Sequence, residues 1–171
     1  MMRLAILGAA ALLAGCAMST DGRGGSGARA ELRDAAGQMV ARAGAREVDD
    51  GLRLRIDAFG VSPGVHGVHI HAVGRCDPPG FESAGPHWNP TGREHGRANP
   101  QGAHLGDLPN LTVGSDGRGQ LDFTVPGAEL RGARGALDGD GAALVIHATA
   151  DDERTDPSGN SGARIACGVL R

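Results

Sequence analysis

Leu52-Arg53-Leu54-Arg55-Ile56-Asp57 alternates apolar and charged side chains with a period of two. Successive side chains of an extended strand point to opposite faces, so the stretch reads as a strand with one face in a core and the other in water. Leu121-Asp122-Phe123-Thr124-Val125 repeats the pattern. Ahead of it, Gly114-Ser115-Asp116-Gly117 has the composition of a tight turn. Residues 142–148 and 165–170 are two further apolar runs of strand length. Ala35-Ala36-Gly37 separates two more candidate strands and suits a hairpin turn. No stretch shows a convincing amphipathic helical period. About eight short strands with Gly-rich turns predict one all-β domain, an antiparallel sandwich or barrel.

Composition agrees. The chain has 171 residues, with 30 Gly and 9 Pro. Its aromatic residues are Phe59, Phe81, Trp88 and Phe123, so the core must be built from Leu, Ile, Val and Ala. The net charge of −3 argues against nucleic acid as a partner. All 17 basic residues are Arg.

Residues 74–109 break the strand pattern. The stretch is dense in Gly, Pro, Asn and His; a long irregular loop in a compact domain is usually functional or disordered, and its His content favours function. It holds His87, His95, His104 and Asp107, a donor set suited to a closed tetrahedral zinc site. The spacings match no compact finger motif. A lone loop His is normally solvated, but six His and an Asp in one short domain are not explained that way.

Val68-His69-Ile70-His71 places two imidazoles on one face of a strand, with Val68 and Ile70 turned into the core. His66 shares the parity of Val68 and reads as a buried, hydrogen-bonded structural residue. His147 ends the apolar run Ala143-Leu144-Val145-Ile146, out of parity with Leu144 and Ile146, and should leave the core to face a site. Imidazole-rich sites suit copper as well as zinc, and only copper offers redox chemistry.

The first residues have a basic start at Arg3, an apolar stretch and a small-residue ending, as in a secretory signal peptide. Leu13-Ala14-Gly15-Cys16 resembles the lipobox of bacterial lipoproteins, in which the Cys is acylated. The alternative is an ordinary cleaved signal with an incidental Cys. We therefore expect a signal peptide over 1–15, a lipidated flexible tether over 16–30 and a folded domain over 31–171. Three Cys is an odd number for an exported chain. With Cys16 lipidated, Cys76 and Cys167 remain, and an oxidising compartment would let them bond. The alternative is two buried free thiols.

Gly64-Val65-His66-Gly67-Val68-His69-Ile70-His71 resembles the first copper motif of the copper–zinc superoxide dismutases. Ser83-Ala84-Gly85-Pro86-His87-Trp88-Asn89-Pro90 resembles the start of their zinc loop. His95-Gly96 and His104-Leu105-Gly106-Asp107-Leu108-Pro109-Asn110 resemble its remainder. Gly159-Asn160-Ser161-Gly162-Ala163-Arg164-Ile165-Ala166-Cys167-Gly168-Val169 is similar to their C-terminal motif. The resemblance runs from about Glu31 to Arg171.

The resemblance implies an eight-stranded antiparallel Greek-key sandwich or barrel, immunoglobulin-like, with a long metal-binding loop. It implies copper on His69, His71, His87 and His147, and zinc on His87, His95, His104 and Asp107. His87 then bridges the two ions and carries a proton in catalysis. Asp151 becomes a carboxylate linking His71 to His95, and Arg164 docks the anionic substrate. The implied reaction is dismutation of superoxide to oxygen and hydrogen peroxide. The alternative is a non-catalytic periplasmic copper carrier on the same fold, which needs neither the zinc ligands nor Arg164; a metal buffer would carry His-rich tracts instead.

The short stretch Asp151–Gly162 lacks Lys, so the residues that steer superoxide are open, with Arg75, Arg93, Arg97 and Arg154 as candidates. The Asp77-Pro78-Pro79-Gly80-Phe81 loop resembles the bacterial branch, whose subunit arrangements vary; a homodimer is compatible with it. The lipoprotein start implies a bacterial periplasm and a membrane anchor, and Ala17 after Cys16 favours the outer membrane over the inner.

Overall fold

The computed structural model describes residues 27–132 and 134–171. The signal segment, Cys16 and most of the expected tether lie outside the described residues.

Nine antiparallel strands form one sheet, rolled into a nearly closed barrel. In chain order they are β1 (Gly27–Asp34), β2 (Met39–Val48), β3 (Gly51–Ala58), β4 (Gly64–His66), β5 (Val68–His71), β6 (Leu111–Val113), β7 (Gly119–Pro126), β8 (Ala143–His147) and β9 (Arg164–Val169). Around the barrel the order is β4-β6-β7-β3-β2-β1-β9-β8-β5. The two edge strands, β4 and β5, are consecutive in the chain. A single residue, Gly67, joins them and nearly closes the ring. One 3-10 turn, Glu82–Ala84, is the only helical element among the described residues.

The period-two pattern works as expected. Leu52, Leu54 and Ile56 of β3 are fully buried, while Arg53 and Arg55 face solvent. They pair across to Val125, Phe123 and Leu121 of β7. The core they build is aliphatic, with Leu32, Ile70, Leu108, Leu111, Leu144 and Ile146 also sealed from water. The β1–β2 hairpin turns at Ala35-Ala36-Gly37. Asp34 Oδ1 accepts from the backbone N–H groups of Ala36 and Gln38, and Gly37 supplies φ +80°. Gly114–Gly117 closes the β6–β7 turn through a Gly117 N–H to Gly114 carbonyl bond of 3.0 Å.

Two expectations need correction. Gly27–Ala30, read as tether, is the first half of β1, paired with Ala43–Arg46 of β2. Its alternation is carried by Ala28 and Ala30, which are buried but too small to stand out as an apolar signal. The strand count is nine rather than eight, because the stretch from Gly64 to His71 divides at Gly67. There the Gly67 N–H donates to the Thr149 carbonyl beyond the end of β8, and the Gly67 carbonyl accepts from His147, the last residue of β8.

Candidate metal centre

β5 brings two donors together. His69 and His71 point outward from the barrel while Val68 and Ile70 enter the core. His147 ends β8, next to β5 in the sheet. The β8–β9 register slips between Ile146 and His147 and re-aims that imidazole.

The long loop is fastened over β5 by its backbone. Trp88 N–H donates to the Ile70 carbonyl (2.8 Å), Ile70 N–H to the Gly106 carbonyl (2.9 Å) and Leu108 N–H to the Val68 carbonyl (3.3 Å), while Gly106 N–H to the Trp88 carbonyl (2.9 Å) ties the loop to itself. Trp88 and Leu108 plug into the core beside His87 and Asp107. A Cβ on Gly106 would lie 2.4 Å from the Ile70 carbonyl oxygen, so only glycine allows this approach. The Cys76–Cys167 disulfide joins the start of the loop to β9.

Four imidazoles and one carboxylate of the loop and β5 lie almost dry: His69, His71, His87, His95 and Asp107. Asp107 Oδ1 is 2.9 Å from His87 Nδ1, 3.0 Å from His95 Nδ1 and 3.1 Å from His104 Nδ1. His104 Nδ1 is 3.4 Å from His87 Nδ1. A tetrahedral ion with bonds of about 2.0–2.1 Å sets its ligand atoms about 3.3 Å apart, so this donor set fits zinc in spacing and chemistry. The other oxygen, Asp107 Oδ2, accepts from the N–H groups of Gly96 (2.9 Å) and His104 (3.0 Å), which fixes the carboxylate. The donors of His69 also fall within 4.8 Å of His87, His95 and Asp107. The free nitrogen of His69, Nδ1, also belongs to a second group with His71 and His147, whereas His104 Nδ1 lies within 3.4 Å of both His87 Nδ1 and Asp107 Oδ1, so His104 suits this group as its fourth donor.

The second group is His69, His71, His87 and His147, with donor atoms all within 4.8 Å of one another. Each ring except His87 gives one nitrogen to an obligate acceptor. His69 Nε2 donates to Asp151 Oδ2 (2.7 Å), His71 Nδ1 to the Gly85 carbonyl (2.8 Å) and His147 Nδ1 to the Gly162 carbonyl (3.1 Å). Those bonds fix the tautomers and leave lone pairs on His69 Nδ1, His71 Nε2 and His147 Nε2. These three atoms and His87 Nε2 are buried with no protein partner. Converging unpartnered acceptors are costly unless a cation meets them. An all-imidazole set fits copper. His87 alone faces both groups, Nδ1 to one and Nε2 to the other.

Burial pushes His71 down to about 2, His69 to about 3 and His147 to about 4, so all three are neutral at ordinary pH, the state in which an imidazole can bind a metal ion. Burial also lowers His87. His95 goes the other way: burial opposes its charge, but the hydrogen bonds to Asp107 and Asp151 outweigh that and push it up to about 9. Asp107 is held well below the usual carboxylate range. Burial would raise it, and hydrogen bonds from His104, His87 and His95 prevail.

Asp151 takes a different partner from the one expected. It joins His69, not His71, to His95, through Oδ2 to His69 and Oδ1 to His95 Nε2 (3.1 Å). His71 is oriented by the Gly85 carbonyl instead. The carboxylate therefore ties one ligand of each group. It is itself positioned by Asn110, whose amide makes two 2.8 Å bonds to the Asp151 backbone. Sequence reading missed Asn110 and Gly85, since their contacts run through main-chain atoms that leave no side-chain pattern.

Arg164 Nη1 donates to the Phe81 carbonyl (2.8 Å) and Nη2 to that of Gly85 (2.9 Å), the oxygen that also orients His71. The guanidinium thus stands beside the imidazole group, 18% exposed. His66 is buried with ring nitrogens on the carbonyls of His147 (2.8 Å) and Ser62 (2.9 Å), a structural role. Of the four steering candidates, Arg75 pairs with Asp77 and Arg97 with Glu153. Arg93 donates to the Gly102 carbonyl. No side-chain bond is seen for Arg154 among the described residues.

A family model described as copper/zinc superoxide dismutase matches residues 37–170. The chain is 41% identical over 147 residues to superoxide dismutase [Cu-Zn] 2 of Aquifex aeolicus, covering 84% of this chain and 86% of that one. It is 50% identical over 125 residues to the superoxide dismutase-like protein YojM of Bacillus subtilis, covering 71% of this chain and 64% of that relative's length. The crystal structure of a SOD-like protein from Bacillus subtilis superposes with a TM-score of 0.79 at 44% identity, covering 84% of this chain and 97% of that one. The family implies copper and zinc, the clustered imidazoles could hold metal, and the chain belongs to the copper/zinc superoxide dismutase family.

Proposed function

We propose that this protein is a catalytic superoxide dismutase, with copper held by His69, His71, His87 and His147 and zinc by His87, His95, His104 and Asp107. The observation that carries the reading is His87, a buried imidazole with one nitrogen in each donor group. When bound, copper supplies one-electron chemistry, by which two superoxide anions and two protons become oxygen and hydrogen peroxide.

The protein's own groups do the rest. Arg164, fixed by two carbonyls beside His71, attracts and orients the anion. His87 Nε2 holds a proton when it is not a ligand and releases it to the reduced product. Asp151 accepts from Nε2 of both His69 and His95, which leaves Nδ1 of each as the nitrogen that would meet an ion. Burial of the rings keeps them neutral and limits solvent access.

A copper carrier on the same fold is the competing reading, and a relative named only as dismutase-like keeps it in view. Arg164 and the Asp107 group favour the enzyme, because carriage requires neither. The test is superoxide consumption by the metal-loaded full chain and its Arg164→Ala variant at low salt. The account expects turnover that falls about tenfold or more in the variant, with both metals retained. Metal-loaded protein no more active than a metal-free control would leave the carrier.

We also propose export and acylation at Cys16, which would hold the domain on the periplasmic side of a membrane, the outer one by the residue that follows. Cys16→Ser should then release the protein from the membrane fraction; retention there would contradict the anchor.

A further inference from the structure

The outer face of β1, β2, β3 and β7 is rich in arginine. The register sets Arg29 and Arg33 of β1, Arg42 and Arg46 of β2, and Arg53 and Arg55 of β3 on one exposed surface. It holds three carboxylates, and each is taken: Glu31 pairs with Arg33, Asp122 with Arg53 and Asp57 with Arg55. Arg29, Arg42 and Arg46 have no carboxylate within ion-pair distance among the described residues. The face therefore keeps three uncompensated positive charges in a chain of net charge −3. At its centre Gly44 opens a shallow concavity, with nothing within 4 Å of where its Cβ would be. Arg29, Arg46, Arg53, Arg55 and Asp122 rim it.

Neither steering nor metal binding accounts for this charge. β2 and β3 lie four strands from β5 around the barrel, so the arginines sit on the side away from the imidazoles. An apolar protein partner is not indicated either. Val65, on β4, is the one exposed large hydrophobic residue among those described.

We propose that this face docks on an anionic phospholipid surface. Charge complementarity is the first argument: arginine is well matched to phosphate, and clustered basic groups near an anionic bilayer are each attracted to it. The point of chain entry is the second. Gly27 begins β1 and lines the same concavity, so the 26 preceding residues join the domain at the rim of this face. Docked in this way, the barrel turns β5, β8 and the metal loop away from the bilayer. The inference does not depend on lipid at Cys16, since the charges lie on the folded domain.

The experiment uses the full chain with Cys16→Ser, mixed with vesicles of phosphatidylglycerol and phosphatidylcholine or of phosphatidylcholine alone. We expect binding to the anionic vesicles to exceed that to neutral ones by about tenfold at low salt and to collapse near about 0.5 M salt. Adding Arg29→Glu and Arg46→Glu, which breaks no ion pair, should abolish the difference while circular dichroism and metal content stay unchanged. Equal binding to both vesicle types, or anionic binding that survives the double reversal, would overturn the proposal. So would capture by polyglutamate without vesicle binding, which would assign the face to an acidic polymer. Loss of superoxide consumption would bear on the dismutase reading alone.

Discussion

The most consequential single residue behind the ligands is Asp151. Its two oxygens hold His69 at 2.7 Å and His95 at 3.1 Å, so one side chain sets the tautomer of one ligand in each group. Carboxylates placed behind metal-binding imidazoles typically contribute ~10–100-fold in metal affinity. Asp151→Ala is therefore expected to weaken zinc binding by about that factor without unfolding the barrel, as read by competitive zinc titration with circular dichroism alongside. Unchanged affinity would make Asp151 a bystander. Sequence alone was informative at this scale where the backbone is regular. Parity placed His69 and His71 on one face and turned His147 out of the core. It could not assign a partner to Asp151, which is 82 residues from His69 and meets it only once the barrel closes.

Among the elements, the loop between β5 and β6 carries most of the chemistry, and its hold on the barrel is the mechanical question. Backbone bonds linking Trp88, Gly106 and Leu108 to Ile70 and Val68 of β5, two core side chains and the Cys76–Cys167 disulfide pin it. The disulfide joins the two segments that Arg164 also bridges, since Arg164 lies on β9 and reaches the carbonyls of Phe81 and Gly85. Replacing both Cys76 and Cys167 by Ser opens a covalent loop of 91 residues. It should cost ~4–5 kcal/mol in the chain-entropy view, measured as the loss of unfolding free energy in denaturant. A loss below about 1 kcal/mol would mean that the other fasteners suffice. The long strands were legible because their alternation is strong. Two features were not: the first half of β1, where Ala carries the buried face, and the break at Gly67, where a close approach decides. A Cβ on Gly67 would meet Ser161 Cβ at 2.8 Å.

For the molecule as a whole, the two donor groups impose opposite pH responses on the metal-free protein. His69, His71 and His147 resist protonation when folded but titrate near their ordinary value of about 6.5 when unfolded. The unfolded chain therefore binds more protons below that pH, and stability falls as pH drops from about 6.5 toward 3. His95, raised to about 9, binds its proton more tightly in the folded state. Its contribution is complete below about 6.5 and is lost as pH rises through 9. Thermal melts of metal-free protein should thus peak near pH 6.5 and decline on both sides. A melting temperature that climbs steadily to pH 9 would contradict the proton held by His95. Zinc should relieve the alkaline decline, because the ion replaces that proton.

The barrel, the loop and the disulfide converge on one ring, His87, whose two nitrogens face the two donor groups. The most direct test places Cu(II) in the all-imidazole group and paramagnetic Co(II) in the group of Asp107, then records the copper electron paramagnetic resonance signal. A shared imidazole couples the two spins, so the account predicts that the copper signal is lost with cobalt present and normal with zinc. An undiminished copper signal beside bound cobalt would show that His87 does not join the two sites.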